Sequence, residues 1–187
     1  MLKNVWKHFN LVCHHKREVF KLCCHAGIPV QGLLHDMSKF TPSEFFESVK
    51  YYNGHRSPLA VSREINGYSK AWLHHKGRNK HHYEYWTDMS LTTRNYDAVP
   101  MPRKFLVEMV MDRIAACKVY QGSAYTDASA LIYLQKGVDR IRMHPKTHRE
   151  LEYILTMLRD EGEEKTFAYI RNEVLQGKPF PWDLEEH

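Results

Sequence analysis

A chain of 187 residues, 43% apolar and 26% charged, has the composition of one compact domain and excludes a disordered chain. No apolar run approaches the ~18–20 residues of a membrane helix, and the opening residues MLKNVWKHFN carry charge too early for a secretory leader, so a soluble cytoplasmic protein is expected. The net charge of +5 is uneven: residues 1–80 hold 13 Lys/Arg against 5 Asp/Glu, and residues 81–187 hold 14 against 17. Ten of the 13 histidines lie between His8 and His82, eight of them in the basic part. A site there favours an anionic substrate, although charge alone is equally the mark of a solvated basic surface.

The elements read as mostly helix. Residues 4–25 carry His8, Leu11, Val12, His15, Val19 and Leu22 at helical spacing, ended by Gly27 and Pro29. A short helix is predicted at 31–37. Thr41-Pro42-Ser43-Glu44 reads as a capping box that starts the helix FFESVKYY. Residues 53–66 are predicted to be a loop. Helix resumes over 68–89 with a break at Gly77, and 92–102 is turn-like. RKFLVEMVMDRIAACKVYQ is a strong helix to Gln121, closed by Gly122. Amphipathic helices fit 128–136, 146–161 and 163–176. No strand run is seen. The expectation is an all-α fold, a single bundle-like domain over 1–176 with a Pro-rich acidic tail over 177–187. The four cysteines show no C-x-x-C and read as reduced, small apolar fillers.

Four pieces carry residues suited to chemistry. His15 shares the apolar stripe of the first helix and points inward, whereas His14 points out. A lone inward histidine is usually a hydrogen-bonded core residue. His35-Asp36 ends a short apolar run; adjacent helical residues lie ~100° apart, so the pair can flank one metal or bridge two. In AWLHHKGRNKHHYEYW, His75 and His82 are seven apart on one predicted helical face with Asn79 between them, and His74 and His81 form a second stripe. Asp112 lies among Met109, Ala115 and Ala116, and a carboxylate is costly to bury there without a metal or an arginine. Glu108, one turn earlier, is a further ligand or a group that orients one.

The order His, His-Asp, His-His, Asp on successive helices resembles the HD superfamily of metal-dependent phosphohydrolases. His35-Asp36-Met37-Ser38-Lys39 resembles that family's His-Asp-x-x-Lys segment, and MDRIAACK resembles its closing helix. The blocks HDMSKFTPSEF, AWLHHKGRNKHHYEYW and PRKFLVEMVMDRIAA also resemble an uncharacterised family of small bacterial and phage proteins, some of which carry a catalase label. The resemblance implies an HD-like helical bundle around a metal site. It further implies two divalent transition-metal ions (Mn, Fe, Co, Ni or Zn) bridged by Asp36. His15, His35, Asp36 and Asp112 would hold the first. His75, His81 and His82 are the pool for the second. His75 and His81 are only six residues apart, closer than in the better-known two-metal members, which leaves open which of His74, His75, His81 and His82 ligate.

The function implied is hydrolysis of a phosphate ester or nucleotide, with Asp36 and Lys39 catalytic and Lys39, Arg78 and Asn79 on the substrate. Lys80 is a further candidate phosphate contact. Two other classes stay open. One is a non-haem di-iron or di-manganese redox enzyme, an oxygenase or catalase-like, using the same residues. The other is a basic helical nucleic-acid-binding module, for which inward Asp36 and Asp112 would have no use. A homo-oligomer is also open, and no membrane partner is expected.

Overall fold

In the computed structural model, residues 2–54, 56–137 and 142–184 are described. They form eight α-helices: α1 (Leu2–Ala26), α2 (Pro29–Leu34), α3 (Pro42–Lys50), α4 (Pro58–Asn66), α5 (Lys70–Lys76), α6 (Arg103–Gln121), α7 (Ser129–Lys136) and α8 (Pro145–Tyr169). The fold is all-α, a single helical domain with one small hairpin. Among the described residues no helix is long and apolar enough to cross a membrane.

The core is built around α6. Residues 106–111 are buried all round, with Ile114, Ala115 and Cys117 beyond them. One side packs on the α1 stripe of Val19, Leu22, Cys23 and Ala26, the other on Leu131 and Leu134 of α7 and Leu151, Ile154, Leu155 and Leu158 of α8. Aliphatic side chains at helical spacing bury themselves this way because each removes apolar surface from water, roughly 1.5–3 kcal/mol per fully buried Leu or Ile. α2 lies flush on α1 because Gly32 has no side chain: a Cβ there would sit 2.5 Å from the Cys23 Cβ. Residues 177–184 fold back onto this core. Phe180 is buried and stacked on Trp182, with Arg103 and Arg149 over the two rings at 4.9 and 4.4 Å.

Several local expectations are corrected. Residues 58–66, read as loop, form α4, because Pro58 occupies the first helical turn, where its missing N–H costs nothing. The predicted helix over 68–89 stops at Lys76. A turn follows, and Thr87–Met89 pairs antiparallel with Tyr96–Ala98. The short helix at 31–37 ends at Leu34. Thr41 makes no side-chain cap; its hydroxyl donates to the Ser38 carbonyl at 2.6 Å. Gly162, at φ 79 and ψ 175, breaks α8 where two helices were read, and the chain continues through a wider turn over Ile170–Val174. The four cysteines are free, but Cys24 is exposed on the outer face of α1 and fills nothing.

Candidate metal centre

Three kinds of backbone bring the polar residues together. α1 supplies His15 from its inward stripe. α6 supplies Glu108 and Asp112, one turn apart on the same face. The other ligands come from places where a helix stops. α2 ends at Leu34; His35 turns out of the helix (φ −51, ψ 129) and Asp36 takes the left-handed conformation (φ 53, ψ 28). Aspartate tolerates that region better than most residues, but it costs of order 1 kcal/mol and tends to occur at functional sites. The Lys16 Nζ donates to the carbonyls of Leu33 and His35 at 2.7 Å each and holds the helix end in place.

α5 presents His75 in its last turn, and the chain then folds back on itself. The N–H groups of Arg78 and Asn79 both donate to the His75 carbonyl at 3.1 Å, and His82 N–H to the Asn79 carbonyl at 3.1 Å. This turn, and not a continuous helical face, aims His81 and His82 at His75. Ring centroids of His75 and His82 are 4.7 Å apart, and those of His81 and His82 4.2 Å.

The side chains meet at Asp36. His75 Nε2 and His81 Nε2 are 3.2 and 3.4 Å from its Oδ1, and His35 Nε2 and Lys39 Nζ are 3.2 and 2.5 Å from its Oδ2. Asp112 Oδ1 lies 2.9 Å from His15 Nε2 and 3.4 Å from His35 Nε2. Two groups result, each with its ligand atoms within 4.8 Å of one another: His15, His35, Asp36 and Asp112, and Asp36, His75, His81 and His82. Both include Asp36. Buried groups of this composition can hold a metal ion.

The far nitrogens of the imidazoles are already held. His35 Nδ1 and His81 Nδ1 both lie 3.0 Å from Glu108 Oε1, and His75 Nδ1 lies 2.8 Å from Glu44 Oε2. With Nδ1–H donating to a carboxylate, each Nε2 keeps a lone pair for a ligand bond, the arrangement in which carboxylates orient metal-binding histidines. Meanwhile His35 Nε2, Asp36 Oδ1, His81 Nε2 and His82 Nε2 are buried without a hydrogen-bond partner. All four belong to the two groups that share Asp36. Among the described residues six other buried polar atoms outside the groups also lack a hydrogen-bond partner, so it is the gathering of these four around Asp36 that fits bound metal.

Without an ion, Asp36 outweighs burial and raises His35 well above an ordinary histidine and His75 to about 9, so a bound metal would displace their Nε2 protons. Burial works to raise the Asp36 carboxyl, but His35, Lys39 and His75 outweigh it and hold it well below the usual range. Asp112 is likewise held low against burial by its hydrogen bond to His15 and by His35 beside it. Burial, then the charges of His81 and His75, pushes His82 well below an ordinary histidine, so it stays neutral and able to ligate.

A family model describes residues 4–157, so every residue named in the two groups lies within the match. The chain belongs to a family of unknown function, DUF5662. No curated protein and no solved structure matches it.

Other expected site residues lie on the turn after α5 and beside Glu44. Asn79, expected on the substrate, spends its amide on the Ser38 hydroxyl and the His75 carbonyl, both at 2.8 Å, and so shapes the turn. Arg78 is exposed on that turn. Lys80 is exposed over the rings of Tyr85 and Phe105. His74 falls outside the groups, 2.6 Å from Glu44 Oε1. Glu44 itself was missed: three residues after Thr41 it mimics a capping residue, whereas it is buried and holds two histidines. No pattern along the chain could have paired it with residues 30 positions away. Glu108 lies behind His35 and His81, and with the same two residues it also forms a third possible group, so both of its alternatives stay open.

Proposed function

We propose that the protein is a metal-dependent phosphohydrolase of the HD type, acting on a small phosphate-bearing anion through two divalent transition-metal ions. The observation that carries this reading is the set of four buried, partnerless ligand atoms around Asp36, among them the Nε2 atoms of His35 and His81, whose imidazoles Glu108 holds from behind. A polar core built only for stability would pair these atoms with each other. The HD-like order of His15, His35-Asp36 and Asp112 supports the same assignment.

His15, His35, Asp36 and Asp112 hold one ion in this reading, and Asp36, His75, His81 and His82 the other. Charge supports the count of two. Asp36, Asp112, Glu108 and Glu44 bring four negative charges, and Lys39 one positive. Two divalent cations turn the remaining deficit into a net positive centre suited to an anion, whereas one leaves it negative. When bound, the ions supply Lewis acidity at phosphorus and a water of lowered pKa.

The chain's own residues do the rest. Lys39, 29% exposed and beside Asp36, offers its ammonium to a phosphoryl oxygen, where a fixed charge in a half-buried site stabilises the charge that develops during transfer. Asp36 keeps Lys39 aimed. Glu108 and Glu44 keep three imidazoles from rotating. The basic surroundings of residues 1–80 draw the anion in.

The test is elemental analysis of protein purified without chelator or polyhistidine tag, followed by phosphomonoester assays with Mn, Fe, Co, Ni or Zn. About two ions per chain, lost in His35→Ala and Asp36→Ala, with phosphate release that follows the metal, is the expected result. Iron or manganese that turns over peroxide or consumes oxygen without phosphate release would move the protein to the redox class. Failure to bind any of these ions, with nucleic-acid affinity that survives chelator, would sink both enzyme readings.

A further inference from the structure

The outer face of the first two helices is apolar. α2 reads PVQGLL, and its one buried residue is Gly32; Val30, Leu33 and Leu34 point away from the protein, 63, 60 and 63% exposed. A surface helix ordinarily turns its aliphatic side to the core and its polar side to water, so α2 is patterned the wrong way round for a monomer. Beside it, the shoulder of α1 carries Trp6, Phe9 and Phe20, a second apolar stripe apart from the buried one of Val12, Val19 and Leu22. Trp6 is 65% exposed, and the two phenylalanines a little over a third.

These side chains make one continuous surface. Trp6 and Phe9 stack at 5.9 Å, and Phe9 meets Phe40, in the turn after Asp36, at 6.1 Å. Lys16, on the same shoulder, donates to the Leu33 carbonyl. Phe20 flanks Gly32: a Cβ on the glycine would sit 3.2 Å from the Phe20 Cα. At these exposures the six apolar residues leave on the order of 700 Å² in water, above the ~300–600 Å² of the largest patch on an ordinary monomer. Each partner in a standard protein interface contributes about 800 Å².

Charge selects the occupant. Among the described residues the face holds no unpaired charge: Lys16 spends its ammonium on the carbonyls of Leu33 and His35, and Lys21 is paired with Glu18. Lys7 and Arg17 lie about 100° or more around α1 from Trp6, Phe9 and Phe20, and Lys3 sits at the helix end. An acidic helix or an anionic lipid headgroup would therefore find its cations on another side of α1. A second copy of the same face meets it apolar on apolar, with no like charges pressed together. Two copies would bury about 1,400 Å², within the range of specific interfaces.

We infer that the outer face of α1 and α2 is the interface of a homodimer, a patch that pairs with itself across a two-fold axis. Trp6, the largest and most exposed side chain on α1's part of the face, is its anchor. The dimer covers the three aliphatic side chains that α2 cannot bury on its own chain. The inference stands apart from the phosphoester reading.

The experiment is sedimentation equilibrium of the full chain at tens of micromolar. The unaltered protein is expected at twice the mass of one chain. Trp6→Glu and Val30→Glu, on different helices and at positions already in water, should each run as monomers with the circular dichroism and metal content of the unaltered protein. Leu91→Glu, between the two strands and 93% exposed, should stay dimeric. A monomeric unaltered protein, or a dimer that persists in either variant of the face, would overturn the inference. Dissociation of the Leu91→Glu protein as well would also overturn it, because added charge anywhere would then suffice. A monomer that sediments with vesicles of phosphatidylcholine and phosphatidylserine, and loses this in Trp6→Glu, would give the face to lipid instead.

Discussion

The two sides of α6 are buried by opposite means. One side, with Leu106, Val110 and Ile114, meets aliphatic side chains of neighbouring helices. The other side, with Glu108 and Asp112, meets His15, His35 and His81. Dispersion and the hydrophobic effect are additive and forgiving, so the apolar side loses stability in proportion to what is removed. The polar side depends on alignment. Its atoms are desolvated, four lack partners, and His35 and His81 keep their orientation only while Glu108 behind them is in place. The comparison teaches that burial alone says little about a residue's purpose; what distinguishes the sides is whether the protein's own atoms satisfy one another.

The sharpest way to break the comparison is to damage each side and read metal and stability together. Asp36→Ala should remove both ions, because both groups share that carboxylate, and with them any phosphomonoesterase activity. Leu158→Ala, in the apolar core, should cost about 2–5 kcal/mol of unfolding free energy by denaturant titration and keep its metal content. A Leu158→Ala protein that loses its ions, or an Asp36→Ala protein that retains two, would show that the sides are not separable in this way.

Removing the metal should affect the whole protein next most strongly. Binding to the folded state alone stabilises by about 2.7 kcal/mol at a free metal concentration one hundred times Kd, so chelator should lower Tm and added metal should raise it in a concentration-dependent way. A Tm indifferent to chelator would mean that the polar side is satisfied without ions.

The orienting carboxylates offer a finer cut. Glu108 holds one histidine of each group, whereas Glu44 holds His75 of the second group alone. Glu108→Gln should weaken both ions by about 10–100-fold, and Glu44→Gln only one of them. Metal titration with competing chelators would resolve the two steps.

The smallest expected effect is a pH dependence at His8, in the metal-free protein. Burial, then Lys39, lowers its pKa from the ordinary 6.5 to about 4. The folded state therefore binds this proton less readily than the unfolded chain. The stabilisation is full above pH 6.5 and is lost as pH falls from there through about 4. His8→Phe, which keeps a ring against Phe45 and Tyr52, should flatten the fall in the urea midpoint between pH 7 and 4.5 relative to the unaltered protein. Parallel curves for the two proteins would remove His8 as the titrating group.

Periodicity by itself determined the long helices. α1, α6 and α7 lie close to where apolar residues recur at helical spacing, and the break in α8 falls at Gly162, which the pattern also marked. It determined as well that His15 and Asp112 face inward and that the histidines concentrate before residue 83. What it could not determine was anything set by a partner distant in the chain. His75, His81 and His82 do converge, but by a turn after Lys76 and not on one helical face, because carbonyl bonds from Arg78 and Asn79 fold the chain back. Asp36 becomes common to both groups only because α2 stops at Leu34 and Asp36 adopts the left-handed conformation. Glu44 looked like a helix cap until the tertiary structure set it against His74 and His75. A helix reports its own period locally, since its hydrogen bonds run between near neighbours. A centre assembled from five segments is decided by packing, which no local pattern encodes.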